Sequence, residues 1–320
     1  MTMRNRAFRI PALAIVAIGS LASAAGPGPI KVGAVTDHII VISLDGLRPD
    51  AIDRFGASTL QRLSREGAHT YGAQTIFPSK TLPSHTSMLT GVGPEIHGIL
   101  WNNDRTGSEG VVKASTVFVE AKKHGFSTAA FFSKSKFRHL QVPGSLDYTQ
   151  APRGVDTWMA TRTVTDAITY LHHRKPNLLF VHIGEADYAG HSMGWMSTMY
   201  GLAVRRADGA VNSLLRTAEK SFGKGNYTVI VSADHGGHGR DHGTDDPQDT
   251  TIPWIVWGKG VNPGVELNGI RTIDTAATVL WLLGVREPES WKGTAVASAF
   301  TQAAQLASAN ATGVLTKASH

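Results

Sequence analysis

From residue 38 onward, short apolar runs alternate with longer stretches in which apolar residues recur every three or four positions. Runs of four to eight apolar residues bounded by polar or Gly-rich segments suit buried strands, and the longer period suits amphipathic helices. Strands are predicted at 38–44, 127–132, 177–183, 227–233 and 252–257. Helices are predicted near 57–66 (with Leu60 and Leu63 on one face), 115–124, 157–173, 196–219 and 272–283. Alternating β and α units of this kind argue an α/β fold, a mostly parallel central sheet with helices on both faces.

The start of the chain reads differently. Arg4, Arg6 and Arg9 precede an apolar run at 10–21, and Ala22-Ser23-Ala24 fits a cleavage site, so residues 1–24 are predicted to be an export signal. The run is shorter than the roughly 20 apolar residues of a membrane span. Residues 25–37, with Gly26-Pro-Gly-Pro29, read as a linker, 38–300 as one folded domain, and 301–320 as an Ala-rich tail with no assigned role. The expected location is periplasmic or secreted.

The 320 residues are 42% hydrophobic and 18% charged, enough for a sizeable core. The formal charge of +6 falls to +3 without the three N-terminal arginines, 28 basic residues against 25 acidic. No basic cluster on one face marks a nucleic-acid site. The chain has no Cys. That excludes a lipidated cysteine anchor, thiolate metal ligands and a Cys nucleophile, and leaves core and metal to hold an exported fold together.

The candidate chemistry sits at the ends of predicted strands, where open α/β sheets bind ligands. Asp45 ends the first apolar run, and Asp234-His235 ends that of 227–233. A carboxylate in such a crevice is costly without a cation. Asp187-Tyr-Ala-Gly-His191 spaces a carboxylate and an imidazole by four residues, one helical face, although Asp187 could also serve as a helix cap. His242 lies in a polar loop at 236–246, with His238 competing for the same role. Mixed Asp and His donors suit zinc, with manganese or iron as alternatives. Residues 77–91 read as a loop entering a helix just after Pro83, where the hydroxyl of Thr81 or Ser79 could ionise beside a cation.

Together these segments resemble the alkaline phosphatase superfamily, most closely its type I phosphodiesterase/nucleotide pyrophosphatase branch. The resemblance lies in Val41-Ile-Ser-Leu-Asp-Gly-Leu-Arg-Pro-Asp50, Pro78-Ser-Lys-Thr-Leu-Pro-Ser-His85 and residues 89–99. It continues in Asp187 to His191, Ser232-Ala-Asp-His-Gly236 and His242-Gly-Thr-Asp245, in the same order. Residues 272–284 and Trp291-Lys-Gly293 resemble the superfamily's C-terminal end. The resemblance implies two zinc sites, one of Asp187, His191 and His242, the other of Asp45, Asp234, His235 and the Thr81 oxygen. It further implies Thr81 as nucleophile, forming a phospho-threonyl intermediate. Asn102 and the Thr81 backbone N–H would stabilise the phosphoryl oxygens, and the substrate would be a small phosphoester or nucleotide.

Two departures bear on substrate. Leu82 stands where many diesterases carry a Phe against the nucleobase, with Tyr148, Trp158 and Trp101 as candidate replacements. Lys134, Lys136 and Arg138 follow the strand at 127–132, as in the Lys-rich loop of phosphonoacetate hydrolases and the Lys-x-Arg of threonine-dependent monoesterases. Such charge favours a monoester dianion or a phosphonate carboxylate over a diester monoanion. The diesterase reading stands first because the block around Thr81 is closest to it. A sulfatase would need Cys or Ser in a C/S-x-P-x-R setting, which is absent. A purely metal-binding protein would leave Thr81 idle.

Overall fold

A computed structural model of the chain describes residues 34–153, 159–306 and 308–309. The signal expected at 1–24, most of the linker, Trp158 and the end of the tail lie outside the described residues.

The first half holds β1 (Ile39–Leu44), α1 (Pro49–Arg54), α2 (Ser58–Glu66), β2 (Ala68–Gln74), α3 (Thr81–Thr90), α4 (Pro94–His97), α5 (Thr106–Glu109) and α6 (Val117–Lys123). Next come β3 (Thr128–Phe131), a 3-10 turn at Ser135–Leu140, β4 (Tyr148–Gln150), α7 (Ala160–His173), β5 (Leu178–Ile183), α8 (Glu185–Met193) and α9 (Thr198–Phe222). The chain then forms β6 (Thr228–Ser232), α10 (Pro247–Thr250), β7 (Thr251–Gly258), β8 (Val265–Glu266) and α11 (Asp274–Leu282).

One sheet runs in the order β4-β3-β5-β1-β6-β7-β2-β8. β1 lies between β5 and β6 and is parallel to both. Every residue of these three strands is buried, as expected where helices cover both faces of a parallel sheet. Helices α2, α7 and α9 pack together on one face, and α3, α6 and α11 on the other. Only β7 is reversed, antiparallel to β6 and to β2. The apolar pattern locates such a strand but does not encode its direction. Here the segment between β6 and β7 carries one four-residue helix, α10, rather than the long crossover helix that usually joins parallel strands.

Three strands were not predicted. β2 reads Ala-His-Thr-Tyr-Gly-Ala-Gln, without an apolar run, and its register with β7 shifts between Thr70 and Ala73. β4 and β8 are three- and two-residue edge strands. The helix expected near 157 begins at Ala160. The one expected after Pro83 begins at Thr81, because a proline in the first helical turn lacks only an N–H that would have no intrahelical partner.

Helix α2 has no cap from its own N-terminal side chain. The buried Asp208 of α9 supplies it, accepting the N–H of Thr59 at 3.0 Å and of Leu60 at 2.9 Å. We predict that Asp208→Ala destabilises the protein by about 1–3 kcal/mol, since two buried donors lose their acceptor. Thermal melting measures this, and an unchanged midpoint would contradict it.

Candidate metal centre

Because β1, β5 and β6 lie side by side, the residues after them meet. Asp45 follows β1, Asp187 sits in the first turn of α8 just after β5, and Asp234 and His235 follow β6. Gly46 makes the closest approach possible: its φ is +71°, and a Cβ there would stand 2.9 Å from Asp187 Cα. The turn is fastened on all sides. Gly46 N–H donates to Asp234 Oδ1 at 3.1 Å, its carbonyl accepts from Trp195 Nε1 at 2.9 Å and Tyr200 Oη at 2.8 Å, and Asp187 N–H donates to the Asp45 carbonyl at 3.0 Å.

Each of the three carboxylates has one oxygen engaged and one without a hydrogen bond. Asp45 Oδ2 accepts from His182 Nε2 at 2.8 Å and Lys134 Nζ at 2.6 Å, Asp187 Oδ2 accepts from Lys134 Nζ at 2.6 Å, and Asp234 Oδ1 takes Gly46 N–H. The opposite oxygens, Asp45 Oδ1, Asp187 Oδ1 and Asp234 Oδ2, are buried with no hydrogen-bond partner. They face imidazoles instead. His235 Nε2 lies 3.4 Å from Asp45 Oδ1, 3.2 Å from Asp234 Oδ2 and 4.0 Å from Asp187 Oδ1. His191 and His242 place Nε2 at 3.4 Å and 3.5 Å from Asp187 Oδ1.

The imidazoles are oriented to match. His235, His242 and His191 each hydrogen-bond a backbone carbonyl through Nδ1: Gly236 and Ser79 at 2.8 Å and Arg240 at 2.9 Å respectively. A carbonyl only accepts, so each Nδ1 carries a proton and each Nε2 is the nitrogen turned to the cluster, the orientation of a metal-ligating His, whose Nε2 gives up its proton to the ion. Orphaned carboxylate oxygens together with imidazole nitrogens are a donor set for zinc-like cations. The ligand atoms form two groups, Asp45/Asp234/His235 and Asp187/His235/His242. His235 thus lies next to both, and His191 sits at the edge, 41% exposed.

The electrostatics follow from burial and proximity. Burial alone would raise Asp45, but Lys134, His182 and His235 outweigh it and hold its carboxyl well below the usual range. Asp187 is lowered too, with burial and Asp45 opposed by Lys134, His191 and His235. Burial disfavours charge on Lys134, yet Asp187 and Asp45 raise it above the normal lysine range. His235 is pushed up to about 9 against its burial, by Asp234, Asp45 and Asp187.

Thr81 is the first residue of α3 and brings Oγ1 to 3.5 Å from His235 Nε2. Ser79, the alternative nucleophile, donates its hydroxyl to the Thr244 carbonyl at 2.7 Å and does not join the cluster. His238 is also placed elsewhere, on Asp249 at 2.8 Å. Asn102 Oδ1 accepts from Leu82 N–H at 3.1 Å and Lys136 Nζ at 2.9 Å, so Asn102 and Lys136 stand beside the helix start that carries Thr81. The candidate substrate contacts take varied positions. Leu82 is sealed in the core and offers no surface to a base. Arg138 points to solvent, 3.7 Å from Asp104. Tyr148 stacks on Tyr170 at the amino end of edge strand β4, the far end of the sheet from Asp45. Trp101 is half-buried against the core with the Arg105 guanidinium 5.7 Å from its ring.

The family model for type I phosphodiesterase/nucleotide pyrophosphatase matches residues 39–249. The chain belongs to this family. It is 24% identical over 230 residues to human ectonucleotide pyrophosphatase/phosphodiesterase family member 1, covering 64% of this chain and 24% of the relative. It is 23% identical over 317 residues to GPI ethanolamine phosphate transferase 1 of Saccharomyces cerevisiae, covering 80% of this chain and 33% of the relative. The chain thus spans about a quarter to a third of the length of these curated relatives. A solved quadruple mutant of the alkaline phosphatase PafA superposes with a TM-score of 0.71 at 14% identity, over 87% of this chain and all of that one. The fold is alkaline phosphatase-like.

In this phosphodiesterase-family chain, three further residues support the cluster from behind. His182 holds Asp45, and His85 bridges Ser43 Oγ and the Thr81 carbonyl, each at 2.8 Å. Both carry a faint sequence signal, a His inside a strand run and a His four residues after Thr81. Asp249 carries none. Its buried carboxylate accepts from His238 on one oxygen and from Thr244 N–H and Oγ1 on the other, pinning the loop that presents His242. We predict that Asp249→Ala frees this loop, so that trypsin cuts after the exposed Arg240 markedly faster than in the parent protein. An unchanged cleavage rate would mean that Asp249 does not hold it.

Proposed function

We propose that this protein is an exported phosphoester hydrolase of the phosphodiesterase/nucleotide pyrophosphatase type, working with two zinc ions and a phospho-threonyl intermediate. The observation that carries it is the convergence of three orphaned carboxylate oxygens and three histidine Nε2 atoms beside the Thr81 hydroxyl. Asp45, Asp234 and His235 with Thr81, and Asp187, His191 and His242, would hold the ions. Bound there, the two cations would supply charge that favours the Thr81 alkoxide and the departing oxygen. Thr81 Oγ1 attacks phosphorus as the bond to the leaving oxygen breaks. Water then attacks, the P–Oγ1 bond breaks, and the hydroxyl is restored. Asn102 spends its carbonyl oxygen on Leu82 and Lys136, leaving its NH2 to donate to a phosphoryl oxygen. An alcohol in place of water would make the same second step a transfer, the reaction class that the yeast relative's name carries. Export rests on the Arg-rich, apolar start of the chain; among the described residues no helix is long and apolar enough to cross a membrane.

A second reading, for a phosphomonoester or a phosphonate, is favoured by one specific observation. Lys136 Nζ lies 2.9 Å from Asn102 Oδ1, which sets a cation next to the amide proposed to receive the phosphoryl group. A dianion gains more from that charge than a diester does.

The test is kcat/KM for bis(p-nitrophenyl) phosphate against p-nitrophenyl phosphate on zinc-loaded protein. The diesterase reading predicts a ratio well above one, and a ratio well below one would give first place to the monoester reading. In both cases Thr81→Ala should abolish turnover while zinc binding through the remaining ligands persists. Lys136→Ala should cost about tenfold on the monoester, one charge-assisted hydrogen bond, and much less on the diester. Burial and neighbouring Lys134 push Lys136 down to about 8. Its ammonium is therefore present below that pH and lost above it, so monoester turnover should decline above pH 8 in the parent and not in Lys136→Ala.

A further inference from the structure

His182 lies in the interior of β5, in register with Ser43 of β1, and is fully buried. Its two ring nitrogens face two different parts of the site. Nε2 is 2.8 Å from Asp45 Oδ2, and Nδ1 is 3.2 Å from the Ser133 backbone N–H and 2.9 Å from Ser133 Oγ. A backbone N–H only donates, so Nδ1 is an acceptor and Nε2 bears the proton given to Asp45. The ring therefore reads as a neutral connector with a single tautomer. Ser133 immediately precedes Lys134, whose ammonium returns to the same Asp45 oxygen at 2.6 Å. The four groups close a ring: Ser133 to His182, His182 to Asp45, Asp45 to Lys134. Gly184 makes room for it, since a Cβ there would stand 2.6 Å from Ser133 Oγ and 3.2 Å from Lys134 Cε.

With Oδ2 held in this ring, Asp45 cannot rotate, and its bare Oδ1 is kept turned toward His235. We infer that His182 is a positioning residue that sets Asp45 for cation binding and ties it to the start of the Lys134–Lys136 segment. The inference rests on the two-cation reading above. Outer hydrogen-bond partners of metal ligands commonly change metal affinity by about 10–100-fold. His182 should do so for the ion on Asp45 and leave the one on Asp187, His191 and His242 as it was.

Zinc titrated into the chelator-treated full chain and followed by calorimetry tests this. The parent should show two binding steps; if it binds no zinc, the two-cation reading fails and the inference with it. In His182→Ala, one step should weaken about 10–100-fold and the other should stay. His182→Gln, whose amide N–H can donate to Asp45, should recover most of the loss, and that rescue separates positioning from general damage. If the parent binds two ions and His182→Ala leaves both steps unchanged, or weakens both alike, the inference is wrong. Should His182→Ala fail to fold, Gly184→Ala decides: the added methyl crowds Ser133 Oγ and Lys134 Cε, opens the ring and should weaken the step on Asp45. Unaltered binding in that variant overturns the proposal.

Discussion

Three aspartate carboxylates, Asp45, Asp187 and Asp234, lie buried in one cluster, and among the described residues Lys134 is the only lysine or arginine ion-paired with any of them. Burying a carboxylate without a counter-charge is among the most costly things a fold can do, and a single ammonium cannot balance three. The cluster draws in whatever positive charge is near: Lys134 is held charged, and His235 is pushed up to about 9. Placed together at the meeting point of three strands, these groups leave negative charge that bound cations would offset. The orphaned oxygens and the histidine Nε2 atoms face one another, the placement of donors that a divalent ion would use.

The division of labour inside each carboxylate is what makes the cluster specific. One oxygen of each is spent on orientation, by Gly46 N–H, His182 or Lys134, and the other is left bare. The imidazoles are divided in the same way, Nδ1 to a backbone carbonyl and Nε2 inward. Orientation comes from the backbone of the strand ends and from the polar loop that carries His242, which Ser79 and Asp249 fasten. Thr81 joins the cluster at the start of a fully buried helix. Packing thereby fixes the backbone that carries its hydroxyl, the preorganisation that the proposed attack would need.

The legible parts of this arrangement were those encoded in local pattern. The central strands appear as apolar runs, and Asp45 and Asp234-His235 were found because each ends one. Asp187 and His191 stand out by helical spacing, which left a helix cap as the alternative, and they and the Thr81 block gain their roles from the resemblance to the phosphodiesterase family, to which the chain belongs. What local pattern does not carry is where a side chain points. Leu82 and Arg138 were expected near substrate, yet one turns into the core and the other to solvent. His182 and Asp249 act through partners far away in sequence, at Asp45 and Thr244. The direction of β7 and the small-residue strand β2 were hidden for a similar reason: their pairing, rather than their composition, makes them strands.

The most direct test of the two-cation centre is a crystal structure of the zinc-soaked protein with an anomalous difference map at the zinc edge. Two strong peaks, one on Asp45 Oδ1 and Asp234 Oδ2 and one on Asp187 Oδ1, with the histidine Nε2 atoms completing both, are the predicted result. No peak in the cluster, or zinc bound only to surface histidines with Lys134 still joining Asp45 and Asp187, would contradict it.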